Sequence, residues 1–208
     1  MKVKILNYQG QDTGRTIELK DSIFSIEPNE HAIYLDVKQH LANKRQGTHK
    51  TKERADIVGS TKKLRKQKGS GAARIGSVKS PLLRGGGRAF GPRPRDYELK
   101  LNKKLKKLAR KSAFSAKIQD KEIIVIEDFK FDTPKTKEML VVKENLKISD
   151  KKALFVFDSK NNNVYLSSRN LQDTIVITAN DLNTYWILNN KALVLSESTI
   201  EQINSILD

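Results

Sequence analysis

Two short segments at the start of the chain alternate between apolar and polar residues. They cover residues 2–6 and 15–19, and Gly10 and Gly14 lie in the connection between them. Strict alternation is typical of a strand with one buried face, and glycines suit the turn that joins two such strands. The pattern therefore predicts an antiparallel hairpin.

Apolar residues then recur with helical spacing. Ile33, Val37 and Leu41 follow one another at intervals of four residues, and Asn29 is a suitable N-cap for a helix that begins beside it. A second helix is predicted over residues 103–117, with most of its lysines on the side away from a narrow inward stripe. The stripe consists of Leu101, Leu105, Leu108, Ser112, Ala113 and Ala116.

Four short apolar runs in the second half of the chain are rich in Val, Ile and Phe and do not alternate. They cover residues 123–126, 154–157, 175–177 and 193–195. Such runs are typical of strands buried on both faces, and hence of a parallel sheet. Helices are predicted over residues 135–146, 181–189 and 199–207. This order predicts a Rossmann-like α/β domain with an open, mainly parallel sheet and flanking helices.

The charge is concentrated in one segment. Residues 43–111 contain 23 Lys and Arg against four acids, a net charge of +19, whereas the rest of the chain carries a net −3. The same segment holds nine of the eleven glycines, and residues 43–95 show neither helical nor strand periodicity. A structureless stretch of this length is uncommon inside a compact domain. Residues 43–96 are therefore predicted to form a long extended basic loop, and residues 1–42 and 97–208 the globular domain.

The overall composition narrows the classes of function. The chain has 208 residues, a formal net charge of +16 and no cysteine, which excludes a disulfide framework and a Cys-based zinc site. It has no apolar run of about 18 residues, the length that would span a bilayer, and its first residues are too polar for a signal peptide. We therefore expect a cytoplasmic protein that binds a polyanion and no membrane.

Polar residues at the ends of the predicted strands are the main candidates for catalysis. They are Glu127, Asp128, Asp158, Ser196 and Glu197. Ligands of open parallel sheets bind outside the carboxyl ends of the strands, and clustered carboxylates there suit Mg²⁺. The same residue types also suit the N-termini of the helices that follow, and capping is the favoured interpretation.

Other catalytic and cofactor motifs fail on their spacing. The glycines around Gly69 do not form a dinucleotide fingerprint, and Ser77 stands where a P-loop requires lysine. His31, His40 and His49 have no metal-ligand spacing. No catalytic residue, metal or cofactor is therefore predicted, and the chain is expected not to be an enzyme. Two alternatives stay open: a nucleic-acid-processing enzyme that uses the carboxylates, and an architectural protein that condenses DNA with the basic segment.

The basic loop contains few residues that stack on bases. Phe90 and Tyr97 are the only aromatic residues of the whole basic segment, residues 43–111, whereas proteins that bind single strands commonly interleave more of them. Its cations neutralise phosphates, and its glycines, among them residues 85–87, allow the backbone to turn sharply or approach a neighbour closely. These features favour folded RNA as the partner.

Long ordered stretches of the chain resemble one protein family. They read RQGTHKTKERADIVGS at 45–60, RKQKGSGAARIGS at 65–77, SPLLRGGGRAFGPRPRDYELKL at 80–101 and RKSAFSAK at 110–117. These stretches resemble the bacterial large-ribosomal-subunit protein four, and the resemblance covers essentially the whole chain. The chain departs from the family at residues 63–69, which read KLRKQKG where the family commonly has K-P-W-R-Q-K-G.

The resemblance implies a structural protein of the large ribosomal subunit whose loop penetrates large-subunit ribosomal RNA and helps it assemble. The loop's tip would help form the constriction of the nascent-peptide exit tunnel, opposite protein twenty-two and in reach of the nascent peptide. The predicted RNA-binding residues are Arg45, Gln46, Thr48, Lys50, Lys52, Arg54, Lys62, Lys63, Arg65, Lys66, Lys68, Arg74, Lys79, Arg84, Arg88, Arg93, Arg95, Arg110 and Lys111. The predicted tip consists of Arg65, Lys66, Gln67, Lys68, Gly69, Ser70, Gly71, Ala72, Ala73 and Arg74.

Overall fold

The computed structural model describes all 208 residues. They form two compact units, which we describe separately. The first unit comprises residues 1–41 and 100–208, and the second comprises residues 42–99. No helix in either unit has the length and apolar character that crossing a membrane requires.

The first unit contains a six-stranded sheet. Its strands are β1 (Lys2–Leu6), β2 (Asp12–Glu18), β3 (Ile123–Ile126), β4 (Ala153–Phe157), β5 (Thr174–Thr178) and β6 (Ala192–Ser196). They lie in the order β2-β1-β3-β6-β4-β5. The β1–β2 hairpin is antiparallel and every other pair is parallel. The predicted hairpin and the predicted mainly parallel sheet are both confirmed.

Seven helices complete the chain's regular structure. They are α1 (Asp21–Phe24), α2 (Glu30–Asn43), α3 (Lys103–Gln119), α4 (Thr136–Asn145), α5 (Asn162–Ser168), α6 (Thr184–Asn189) and α7 (Glu197–Leu207). The helix predicted over residues 181–189 is wrong in its first turn, since a 3₁₀ turn (Ala179–Asp181) precedes α6. The two shortest helices outside this region, α1 and α5, were not predicted from the sequence.

Apolar side chains pack on both faces of the sheet. Alternate residues of β4 point to opposite sides, so Leu154 and Val156 join one cluster whereas Phe155 joins another. The first cluster includes residues of α1, α3, α6 and α7, and the second includes residues of α4 and α5. Helices therefore cover both faces, which is why the parallel strands read as continuous apolar runs.

Helix α2 begins as the sequence predicts but buries a different face. The Asn29 side chain accepts a hydrogen bond from the backbone N–H of Ala32 at 2.9 Å, as an N-cap does. Ile33, however, is only half-buried, and Leu41 is exposed. The buried residues are Ala32, Asp36 and Gln39. Apolar spacing thus located the helix without showing which side faces the core.

The α3 helix buries its second half. Ser112 and Ala113 are buried as expected, but Leu108 from the predicted stripe is exposed and Ala109 is buried instead. Phe114 packs on Phe24, with 5.1 Å between the ring centroids. The inward surface of α3 is therefore wider than a narrow stripe.

The second unit runs out and back with few regular elements. Its first limb (residues 43–64) and second limb (residues 75–99) are joined by backbone hydrogen bonds along their length. Arg95 donates to Gly47 at 3.2 Å, Thr51 donates to Pro92 at 3.0 Å, and Leu64 donates to Gly76 at 3.0 Å. The residues between the limbs are the tip (residues 65–74).

Candidate nucleic-acid interface

The second unit carries most of the chain's net charge. It contains sixteen Lys and Arg against four Asp and Glu, a net +12. Within it, Lys50 pairs with Asp56 at 3.6 Å and Arg93 pairs with Glu53. The other fourteen cations form no ion pair, so their charge is available to an external partner.

The predicted RNA-binding residues of this unit lie at its surface. Of the seventeen, from Arg45 to Arg95, sixteen are exposed and Lys79 is half-buried. Arg110 and Lys111 lie on α3 in the first unit and are half-buried. The Nε of Arg110 is buried without a hydrogen-bond partner. The loop candidates thus form one largely exposed set. The two α3 candidates belong to the first unit and are less exposed.

Close backbone approach brings cations of the two limbs together. A Cβ atom on Gly87 would lie 2.4 Å from the backbone nitrogen of Arg54, so only glycine fits at this point. The next residue, Arg88, donates its N–H to the carbonyl of Lys52 at 2.9 Å. The close approach expected from the glycines at 85–87 is confirmed here.

Two arginines contact one aromatic ring where the first limb begins and the second limb ends. The guanidinium carbons of Arg45 and Arg95 lie 3.9 and 4.6 Å from the centroid of the Tyr97 ring. A hydrogen bond from Arg95 is the main cause that lowers the pKa of the Tyr97 hydroxyl. Burial opposes it, and the positive charges of Arg45 and Arg95 add to the lowering. The sequence did not predict this cluster, because Arg45 meets Tyr97 only through the pairing of the limbs.

The tip is exposed along its whole length. All ten of its residues are exposed, and an isolated bridge between Lys63 and Ser77 closes the limbs just before it. Ser77 is buried, and its hydroxyl donates to the carbonyl of Ser60 at 2.9 Å. The tip is thus a surface segment held at both ends by backbone contacts.

The favoured interpretation is wrong for Asp128 and Asp158, which cap no helix. It holds in part after β6, where Ser196 occupies the N-cap position of α7 and Glu197 lies in the first turn of that helix. Asp128 accepts a hydrogen bond from the Ser198 hydroxyl at 2.8 Å. The N-cap of α5 is Asn161 rather than Asp158, and its side chain accepts from the backbone N–H of Val164 at 3.4 Å. Asp158 directly follows β4, and the loop continues from there to Asn161 before α5 begins. Asp158 therefore lies too early in the chain to cap that helix.

The remaining acids at this edge form ion pairs. Arg15 lies between Glu127, at 3.4 Å, and Glu197, at 3.2 Å. A cavity of about 490 Å³ opens nearby, lined by Asp128, Asp158 and Lys160 among others. No group of three or more His, Asp or Glu side chains in the protein is placed to hold a metal ion. Ion pairing of these acids with an arginine explains their presence without a reaction.

Comparison with known proteins assigns the family. The model of the ribosomal protein L4/L1 family matches residues 17–206. The chain belongs to the ribosomal protein L4/L1 family. It is 59% identical over 207 residues to the large ribosomal subunit protein uL4 of Flavobacterium johnsoniae, covering 100% of this chain and 99% of the relative. It is 60% identical to the uL4 proteins of Christiangramia forsetii, with 100% of both chains covered, and Parabacteroides distasonis, with 96% of both covered.

Membership of the L4/L1 family decides several expectations. The resemblance seen in the sequence is confirmed, and the expected ribosomal, cytoplasmic role in translation follows from it. Proteins of this family are structural rather than enzymatic, so the chain is not an enzyme, and the nucleic-acid-processing alternative is wrong. A ribosomal family also favours RNA over DNA as the polyanion.

Proposed function

We propose that this chain is a structural component of the large ribosomal subunit and binds large-subunit ribosomal RNA through residues 43–96. The observation that carries the proposal is the exposed set of cations on the paired limbs, of which only Lys50 and Arg93 are neutralised within the unit. Fourteen unneutralised cations on a strip of about 58 residues repel one another, and RNA phosphates would relieve that repulsion.

The shape of the limbs supports folded RNA over an open single strand. The limbs touch through backbone atoms at Gly87 and Arg54, so the paired chain is narrow there. A narrow, charged strip without regular secondary structure suits the gaps between packed RNA helices, where recognition depends on phosphates and shape. Within this proposal, residues 43–96 serve as one long extended loop, and the rest of the chain is a Rossmann-like domain that carries it.

The tip is proposed to line the constriction of the nascent-peptide exit tunnel. There it would lie opposite protein twenty-two and contact the nascent peptide. Three features support this assignment: the resemblance over residues 65–77, the exposure of all ten tip residues, and the small side chains of residues 69–73 next to the cations Arg65, Lys66 and Lys68. The cations would face RNA while the small residues face the channel.

A salt titration of RNA binding tests the main proposal. Arg54, Arg84 and Arg88 are changed together to Gln in the full chain, and affinity for transcribed large-subunit rRNA is measured from low to high salt. Each lost phosphate contact reduces the log–log salt slope by about 0.7 to 0.9. We therefore expect the magnitude of the negative salt slope to decrease by about 2 to 3.

A matched variant controls for the loss of three charges. Lys130, Lys137 and Lys151 are exposed residues of the first unit that form no ion pair, and their change to Gln should leave the slope near wild type. Equal losses in both variants would contradict an interface on the limbs. Equal affinity of the wild-type chain for duplex DNA and rRNA would favour the architectural alternative.

A further inference from the structure

Phe90 combines full exposure with an unusual backbone conformation. Its side chain is 108% exposed relative to a reference residue, and its φ is 53°. Bulky residues rarely adopt positive φ, because their Cβ atom crowds the backbone. Exposing a phenylalanine ring to water is also unfavourable. Neither feature is offset by a contact of the ring with the rest of the chain.

The other two non-glycine residues with positive φ have an ordinary explanation. Lys121 and Lys147 directly follow the last turns of α3 and α4. After α3, Glu122 donates its N–H to the carbonyl of Lys117, and after α4 the equivalent bond joins Ile148 to Lys143. These bonds are those of the Schellman motif, which requires a left-handed residue. Phe90 ends no helix, so its conformation needs another reason.

Hydrogen bonds on both sides of Phe90 hold it at the apex of a bulge. On one side Arg88 donates to Lys52 at 2.9 Å, and on the other Thr51 donates to Pro92 at 3.0 Å. On the first limb the two bonded residues, 51 and 52, are neighbours. On the second limb their partners are residues 92 and 88, with three residues (89–91) between them. The extra residues are displaced outward from the paired limbs, as in bulges that redirect a side chain.

The bulge is packed tightly at its base. A Cβ atom on Gly91 would lie 2.1 Å from the hydroxyl oxygen of Thr51, so the second limb approaches the first as closely as glycine permits. The ring of Phe90 is therefore presented to solvent by a backbone fixed on both sides. Positions held in strained conformations by their surroundings are often functional.

The charges around the bulge indicate the chemistry of the partner. Lys52 and Arg88, whose backbones form its base, are both exposed and unpaired by any carboxylate. An apolar ring beside two cations matches a nucleotide, which offers a flat base and a phosphate. A hydrophobic pocket on a protein would match the ring alone and leave the two cations without counter-charge.

We propose that Phe90 stacks on an unpaired base of large-subunit rRNA. The inference rests on the proposed function and specifies one contact within it: the ring recognises a base, while Lys52 and Arg88 neutralise neighbouring phosphates. Stacking requires no particular base, because every base has a π-face. The strained bulge keeps the ring from folding back onto the limbs in the free protein.

Three substitutions in the full-length chain separate the ring from its backbone. Phe90→Trp keeps an aromatic face, Phe90→Leu keeps apolar bulk without one, and Phe90→Asn removes the ring with a residue that tolerates positive φ. Binding to transcribed large-subunit rRNA should be near wild type for Trp and roughly 5- to 150-fold weaker for Leu and Asn, the range expected for one lost stacking contact. The salt slope should stay unchanged in all three, since no cation is removed.

A crosslinking experiment identifies the partner directly. Large subunits are assembled with p-benzoylphenylalanine at position 90 and irradiated, and the crosslinked nucleotide or peptide is sequenced. Crosslinks to an rRNA nucleotide support the inference, and crosslinks to a ribosomal protein alone overturn it. Wild-type affinity of Phe90→Leu also overturns it. If the wild-type chain itself binds the rRNA weakly and without salt dependence, the proposed function fails as well.

Discussion

The guanidinium carbon of Arg45, on the first limb, lies 3.9 Å from the centroid of the Tyr97 ring, on the second. Arg95 approaches the same ring at 4.6 Å. A cation over an aromatic face is attracted by the negative charge of the π-system. Tyr97 therefore restricts where two proposed RNA-binding cations can lie before RNA arrives.

We predict that Tyr97→Leu weakens rRNA binding by about 2- to 5-fold, the equivalent of about 0.5 to 1 kcal/mol for an exposed cation–π contact. Tyr97→Phe keeps the ring and loses only the hydroxyl, so it should bind like wild type. Affinity is measured at one salt concentration and the salt slope over several. An unchanged slope is expected, because both arginines are still present.

Gly87 provides a second test of the paired limbs. Adding a methyl group in Gly87→Ala would place Cβ 2.4 Å from the Arg54 nitrogen, and backbone atoms cannot yield as a flexible side chain can. We expect the bond from the Arg88 N–H to the Lys52 carbonyl to open, with a cost of about 1 to 3 kcal/mol. Hydrogen exchange of the Arg88 amide measures the opening.

Gly76→Ala is the matched control for this prediction. Gly76 lies on the same limb, but a Cβ atom there would meet nothing within 4 Å. Its substitution should leave exchange of the Arg88 amide unchanged. Equal acceleration of exchange in both variants would mean that the limbs are not held together at Gly87 in solution.

The sequence predicted the sheet well because buried parallel strands leave a strong pattern. Each of the four apolar runs coincides with a strand to within one residue at either end. Helix α5 was missed because its seven residues, NNVYLSS, place only Val164, Ser167 and Ser168 in the interior, and two of these are polar. A helix this short has no apolar period to detect.

The proposed interface was predictable only in its composition. Charge density located the basic segment, but contacts between limbs depend on which residues face each other across the pair. Backbone hydrogen bonds such as Thr51 to Pro92 leave no side-chain pattern, and the bulge at Phe90 results from unequal limb lengths between two such bonds. The capping interpretation of Asp158 failed because it assumed that a helix begins directly after β4. The helix α5 begins only at Asn162.

Asp36 and Thr184 provide a test of the first unit. Both are buried, and the Thr184 hydroxyl donates to the Asp36 carboxylate at 2.5 Å, which joins α2 to α6. Thr184→Val keeps the shape and removes the donor, so a buried carboxylate loses a hydrogen bond. We expect the free energy of unfolding to fall by about 1 to 3 kcal/mol in urea titrations of the full chain.

An exposed hydrogen bond of the same type serves as the control. The Thr178 hydroxyl donates to Asp181 at 2.7 Å, at the protein surface. Thr178→Val should change stability by less than about 0.5 kcal/mol, because water replaces the lost partner. If the two variants destabilise equally, burial does not determine the strength of the α2–α6 contact.

The last prediction concerns the tip. Deleting residues 65–74 joins Leu64 to Ile75, so the Lys63–Ser77 bridge would be closed by a three-residue turn that ends in Gly76. Three-residue hairpin loops with a final glycine are common, and therefore the limbs should stay paired. Only four cations of the unit are lost, so the protein should still enter large subunits.

The deletion should change the properties of the tunnel, because it removes about ten residues from the proposed constriction. We expect altered arrest by stalling peptides and altered sensitivity to macrolide-type drugs, measured on ribosomes in which mass spectrometry shows the deleted protein to be present. Changing Arg65, Lys66 and Lys68 together to Ala keeps the length of the tip and removes charge, so this variant separates the two contributions. If both readouts match wild type in ribosomes that contain the deleted protein, the tip does not line the tunnel, and the proposal would then be reduced to rRNA binding by the limbs.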